Sequence, residues 1–221
     1  MTATFVTATG TDIGKTYLTT SLIRLWRAAG HAVDALKPVT TGFDPAEAAG
    51  SDAGLLLKAL GRPATLNEIE RINPWRYAAP LSPDVAARRE NRTLPFDRLV
   101  AFTQRAVASN HGTLLIEGVG GIMVPLDERH TVLDWMAALN VPLVVVTGTY
   151  LGTISHTLTC LDVLARRNLS VRALVVNETT GSAVPIADTM TTLGHFLPAI
   201  PMVALRRGGD PMAFQAIADL I

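Results

Sequence analysis

Apolar residues along the chain come in short blocks separated by stretches with helical spacing. Phe5-Val6-Thr7-Ala8 is a run of strand length. From Thr16 the period changes: Leu18, Leu22, Leu25 and Trp26 share one helical face, and Gly30 supplies a stop. Val33 to Lys37 predicts a second strand, ended by Pro38. Ser51-Asp52 has the chemistry of a helix N-cap ahead of Ala53-Gly54-Leu55-Leu56-Leu57. Residues 61–95 carry many prolines and arginines with little periodicity, and they read as a long surface excursion. Helical spacing returns over 96–109. Further strands are predicted at Thr113–Ile116, Leu143–Thr147 and Ala173–Val176, with helices at 131–139, 153–166 and 185–193.

Strands alternating with helices predict an α/β fold, a mainly parallel central sheet with helices on both faces. No internal repeat and no linker divides the 221 residues, so a single domain is expected. In such sheets ligands gather beyond the C-terminal ends of the strands. The residues that follow each strand are therefore where chemistry is expected.

Composition narrows the classes. Hydrophobic residues make up 48% and charged residues 17%, which is a globular balance, and the formal net charge is zero. Nothing in that balance points to nucleic acid or to a membrane surface. The apolar runs are too short for a spanning helix, and MTATFVTATG has neither the basic head nor the apolar length of a signal peptide. One cysteine, Cys160, cannot form an internal disulfide, so a cytoplasmic setting is expected. Only three of the 19 basic residues are lysine: Lys15, Lys37 and Lys58. Two of them stand in glycine- or proline-marked loops.

The first of those loops, Ala8-Thr9-Gly10-Thr11-Asp12-Ile13-Gly14-Lys15-Thr16, follows the first strand and opens a helix. Its Gly-Lys-Thr is that of a phosphate-binding loop, although Thr9 stands where the common pattern has glycine. Gly10 and Gly14 allow a tight turn, Lys15 can reach terminal phosphates, and Thr16 can place a hydroxyl on Mg2+. Lys37, after the second strand, is either a solvated turn lysine or a second cation for phosphoryl transfer. Asp52 is by itself an N-cap residue. With Thr16 and Glu117, which precedes the Gly118-Val119-Gly120-Gly121 turn, it could also complete a Mg2+ set. Residues 148–156 open another helix, a second potential anion site. Asn177, after the fifth strand, could pair with a purine edge.

Taken in order, five segments resemble the dethiobiotin synthetase family: the loop at 10–16, Lys37-Pro38-Val39-Thr40-Thr41-Gly42, Glu117 to Gly121, Leu151 to His156, and Asn177. Pro80 to Pro83, Met190 to Leu193 and Ile200-Pro201 are weaker matches, and the resemblance spans nearly the whole chain. It implies a P-loop NTPase-like three-layer sandwich. It also implies ATP- and Mg2+-dependent conversion of 7,8-diaminopelargonate and CO2 or bicarbonate to dethiobiotin, through a carbamate and a mixed anhydride, in a homodimer. Carried over residue by residue, Asp12, Ile13, Gly14, Lys15, Thr16 and Tyr17 contact ATP, as do Asp52, Glu117, Gly118, Val119 and Gly120. Asn177, Glu178, Pro201, Met202 and Val203 complete the nucleotide site. Thr16, Asp52 and Glu117 hold the metal. Lys37 and Lys15 are catalytic, and Thr11, Thr41, Gly152, Thr153 and Ser155 meet the substrate. The chain departs from the family at Asp12, often glutamate there, at Tyr150, often lysine, and at Thr189, the counterpart of a tyrosine that reaches the substrate tail across the dimer.

On this reading no protein nucleophile is needed. Cys160 becomes a core residue, and His156 a half-buried structural histidine of its helix. Two rivals share the scaffold. Cobyrinate-type amidotransferases need a glutaminase domain, for which 221 residues leave no room. Switch ATPases of the ParA/MinD type often carry an extra lysine early in the loop, and positions 8–13 have none.

Overall fold

The computed structural model describes residues 2–208 and 210–221. The chain runs β1 (Thr2–Ala8), α1 (Lys15–Ala28), β2 (Val33–Leu36), β3 (Val39–Thr41), a 3-10 turn at Pro45–Gly50, α2 (Asp52–Ala59) and α3 (Leu66–Ile72). It continues with β4 (Trp75–Tyr77), α4 (Pro83–Arg89), α5 (Phe96–Ser109), β5 (Thr113–Glu117), α6 (Val132–Leu139) and β6 (Leu143–Gly148). It ends with α7 (Thr153–Arg166), β7 (Val171–Asn177), α8 (Ile186–Phe196), β8 (Met202–Leu205) and α9 (Pro211–Ala218).

Six strands form one sheet in the order β2-β5-β1-β6-β7-β8, and each pairing is parallel. Every residue of β6 is buried. That requires cover on both faces and explains why Leu143-Val144-Val145-Val146 is a continuous β-branched and aliphatic run rather than an alternating one. Helices supply the cover: α1 packs on α2 and α9, α5 on α6, and α7 on α8. At the centre the rings of Phe5 (β1) and Trp135 (α6) meet edge to face at 4.8 Å. The Trp135 indole N–H donates to Thr103 Oγ1 of α5 at 3.2 Å, so its polar atom is satisfied inside the core.

The three-layer α/β architecture is the one expected. The stretch 61–95 corrects the sequence reading. It holds α3, β4 and α4, and β4 pairs in parallel with β3 as a separate two-stranded sheet. Ile69, Ile72, Tyr77, Ala86 and Ala87 are buried there. Two seven-residue helices and a three-residue strand are too short for either period to register. Its arginines cover aromatic faces instead of merely facing water: Arg92 sits 4.7 Å above the Tyr77 ring, and Arg76 sits 5.4 Å above Phe43. The edge strand β8 and helix α9 also lie beyond the predicted elements.

Candidate active site

Strand order assembles the site. β2, β5 and β1 are neighbours in the sheet. The residues leaving their C-terminal ends, at 37, 117–121 and 9–16, therefore meet although 80 to 101 positions separate several of them.

The loop after β1 turns at Gly14, which has φ 104° and serves as N-cap of α1. A Cβ there would stand 2.3 Å from Asn177 Nδ2, so only glycine fits. Gly10 does not share that need, because its φ is not positive. Asp12 does have a left-handed backbone, φ 56°. A short polar side chain tolerates that conformation better than glutamate would, which gives a physical reason for this departure. Helix α1 has no side-chain cap and no acidic residue in its first turn. Its terminal N–H groups and positive dipole end are left for an anion.

Lys15 is buried, and its ammonium donates to Gly10 O at 3.1 Å and Gly120 O at 2.9 Å. Burial, assisted by the like charge of Lys37, lowers its pKa to about 8. Lys37 is 3% exposed and Glu117 0%. The Lys37 ammonium donates to Glu117 Oε1 at 2.7 Å, Asp52 Oδ2 at 2.8 Å and Gly118 O at 3.0 Å. Burial alone would depress Lys37. The two carboxylates outweigh it and hold the lysine above its ordinary value. Burial likewise acts to raise Asp52, but Lys37 and the Thr16 hydroxyl pull it below the usual carboxylate range. Lys37 is thus no solvated turn lysine: it stays charged and pinned.

The Thr16 hydroxyl lies 2.8 Å from Asp52 Oδ1 and 2.7 Å from Glu117 Oε1. One hydroxyl hydrogen cannot serve two carboxylates, and Glu117 Oε2 is buried without any partner. Acceptor oxygens outnumber donors here, and all are hard oxygens, which is the donor set a divalent cation with phosphate and water ligands needs. Among the described residues no cluster of three or more His, Cys, Asp and Glu side chains forms a complete protein cage. Asp52 reaches the site because Ser51 is the N-cap of α2: Ser51 Oγ accepts from Gly54 N–H at 3.2 Å. Asp52 is the first residue of the helix and its carboxylate is free for Thr16 and Lys37, which corrects its reading as a cap.

Lys15, Thr16, Lys37 and Asp52 line a cavity of about 350 Å3 together with Thr11, Asp12, Gly14, Thr41, Val119 and Gly120. A larger cavity of about 590 Å3 lies by α4 and residues 92–98 and 126–130. It mixes arginines with carboxylates and brings no lysine, hydroxyl and carboxylate set together. The smaller cavity is the chemical one.

Other predicted residues stand apart from it. The Asn177 amide donates to Ile13 O at 2.8 Å, so one of its two N–H groups fastens the loop, leaving the other and the carbonyl for a purine. Glu178 Oε2 accepts from Arg207 N–H at 2.9 Å. Met202 and Val203 open β8, paired with Leu174 and Val175, and Pro201 O accepts from Leu174 N–H at 2.9 Å. Gly152 and Ser155 are exposed at the start of α7. Thr153 is 1% exposed and its hydroxyl donates to Gly148 O at 2.7 Å, so its side chain cannot meet a substrate. His156 is exposed rather than half-buried, with Nδ1 3.0 Å from Tyr150 OH. Thr189 is 1% exposed inside α8, buried away from any surface a partner could reach. Cys160 is buried and its thiol is pushed up to about 12 by burial, an inert core residue. Sequence reasoning missed Asn73, which is fully buried and bonded to the Lys37 backbone. An Asn-Pro pair inside an aperiodic stretch was the only available signal.

A family model described as an AAA domain matches residues 2–205. The chain is 49% identical to the ATP-dependent dethiobiotin synthetase of Acidiphilium cryptum (strain JF-5) over 198 residues, 89% of each chain. It is 46% identical to that of Caulobacter sp. (strain K31) over 220 residues, 99% of this chain and 94% of that one. Among solved structures it is similar to the septum site-determining protein MinD of Pyrococcus horikoshii OT3 complexed with Mg-ADP, with TM-score 0.55 and 12% identity, covering 100% and 86% of the two chains. It is similar also to cobyrinic acid a,c-diamide synthase of Mycobacterium smegmatis, with TM-score 0.54 and 14% identity, covering 99% and 93%. At those identities the structural likeness speaks for the fold alone, whereas sequence identities of 49% and 46% extend over 89% and 99% of this chain, and so the chain belongs to the ATP-dependent dethiobiotin synthetase family.

Proposed function

We propose that this protein closes the ring of dethiobiotin from 7,8-diaminopelargonate, CO2 and ATP. One observation carries the reading. Lys15, Lys37, Thr16 and Asp52 converge on one cavity at the mouth of α1, with Glu117 bonded behind Thr16 and Lys37, in a member of the synthetase family.

A substrate amine captures CO2 and loses a proton, giving a carbamate. A carbamate oxygen attacks the γ-phosphorus of ATP, and ADP leaves. The neighbouring amine then attacks the carbonyl carbon of the mixed anhydride, inorganic phosphate leaves, and the cyclic urea remains. This sequence needs no protein nucleophile; it needs charge stabilisation and positioning. Lys15 and the N–H groups of residues 12–17 suit the phosphates. Lys37, held charged, suits the oxygens that gain charge during transfer. Thr11 and Thr41, both in the cavity wall, suit the carbamate and the amines. Thr16, Asp52 and Glu117 would hold Mg2+, which supplies charge neutralisation at the phosphate oxygens. Residues 117–120, Asn177, Glu178 and 201–203 are assigned to the rest of the nucleotide. The start of α7 at residues 152–155 is assigned to the tail carboxylate, in a cytoplasmic homodimer.

The test is phosphate release from Mg2+-ATP with and without the diamine and bicarbonate, with mass detection of the product. Release stimulated by both, together with a dethiobiotin mass, is the expected result. Steady hydrolysis indifferent to the diamine would sink the reading and favour a switch-type ATPase.

A further inference from the structure

The backbone of Lys37 is held by residues far from the cavity. Pairing of β2 with β5 ends at Leu36 opposite Ile116. Lys37 is the first residue past the sheet and Pro38, which has no N–H, comes next. In a buried position the lysine's own N–H and C=O would be orphaned there. Both are taken up by two consecutive residues at the end of α3. Lys37 N–H donates to Ile72 O at 3.1 Å, and Lys37 O accepts from the Asn73 side-chain amide. The same amide nitrogen donates to Thr40 Oγ1 at 3.0 Å, so one side chain spans the segment from Lys37 to Thr40. Asn73 is itself anchored. It is fully buried, its backbone N–H donates to Ile69 O at 2.7 Å, and its backbone carbonyl accepts from the Arg76 guanidinium.

We infer that Asn73 is a positioning residue for the reaction, one that fixes the Lys37 backbone so that the ammonium meets the transferring group. The inference rests on the role given to Lys37 above. The Lys37 side chain has four flexible carbons, and its ammonium lies among three acceptors that other ligands also suit. A fixed Cα confines its reach to the carboxylate–Gly118 side of the cavity. Without the Asn73 donor, the Lys37 carbonyl loses a buried partner, and the peptide must turn to find another. That rotation swings the start of the side chain.

Asn73→Leu keeps the volume and removes the donors; Asn73→Ser is the milder companion should the leucine variant fold poorly by thermal melting. Two measurements are made. The first needs no turnover: mild acetylation read peptide by peptide, made simple by the chain's three lysines. Lys37 is expected to label several-fold faster in the variant while Lys15 and Lys58 keep their wild-type rates. The second is steady-state kinetics, where kcat is expected to fall about 10- to 100-fold with KM for ATP unchanged. Unchanged Lys37 labelling overturns the inference, and so does equal acceleration at Lys15, which would mean general loosening. A rise in KM for ATP without a fall in kcat overturns it as well. If the wild-type protein formed no dethiobiotin, the function would fail while the labelling comparison still judged the positioning of Lys37.

Discussion

Lys15 and Lys37 share one cavity and one charge, and their surroundings push them in opposite directions. Lys15 is buried with only backbone carbonyls for partners, and that burial, with the like charge of Lys37, lowers its pKa to about 8. Lys37 has two carboxylates, and its pKa rises. Phosphate capture by the free enzyme should therefore weaken as pH climbs through about 8, seen as a falling limb in kcat/KM for ATP. Lys15→Arg, charged throughout, should flatten that limb; a limb unchanged in the arginine variant would assign it elsewhere. Stability runs the other way. Between about 8 and the ordinary 10.5 the unfolded chain holds more protons at Lys15 than the folded one, so this lysine's burden on the fold lightens as pH rises through that window. Lys37→Gln removes the charge and keeps a hydrogen-bonding side chain. It should cut kcat by about 100- to 1,000-fold while ATP still binds, checked by calorimetry beside turnover. Gly14→Ala should abolish nucleotide binding, since both φ 104° and the 2.3 Å approach to Asn177 Nδ2 forbid a Cβ. Binding at wild-type affinity in calorimetry would show that the loop can re-form around it.

At the level of elements, short pieces of structure decide what the site residues can do. Ser51 caps α2 and thereby leaves Asp52 free. Ser51→Ala should cost about 1 kcal/mol in urea unfolding with an unchanged slope, because one orphan N–H loses its acceptor. An unaltered midpoint would deny the cap. The long elements were legible in the sequence: the helix over 96–109 by its period and the strand at Leu143 by its unbroken aliphatic run. The excursion at 61–95 was not. Its buried positions face a local partner, Tyr77 under Arg92 and Phe43 under Arg76, rather than a continuous sheet or helix face. Thr153 shows the converse. Its place at a helix N-terminus was legible, but not that its hydroxyl turns inward to Gly148 and Thr147.

For the whole molecule, the sheet order 2-5-1-6-7-8 places the phosphate loop between the end of β5 and the start of α7. A partly buried hydroxyl pair, Thr9 with Thr147 at 3.1 Å, ties the loop to the neighbouring strand end. A ligand that holds this mouth shut should stabilise the entire domain. Mg2+-ATP at about 100 times its dissociation constant adds about 2.7 kcal/mol, which for a chain of this size raises the melting temperature by about 5–10 °C. Calorimetry should show one transition that moves with nucleotide. Two transitions, only one of them moving, would divide the chain into separate units.

The phosphate loop, the two lysines and the α/β class could be read from the residues alone, because each rests on local requirements: a glycine turn before a helix, a period of two or 3.6, a proline after a strand. The ion pair of Asp52 with Lys37, the anchoring by Asn73 and the inward turn of Thr153 could not. Thr16 finds Asp52 across 36 positions and Glu117 across 101, and Lys37 finds Glu117 across 80. No local pattern encodes such meetings. They follow from which strands lie side by side, and that is settled only when the sheet closes its core and each buried polar group must take a partner from whatever the packing brings within reach.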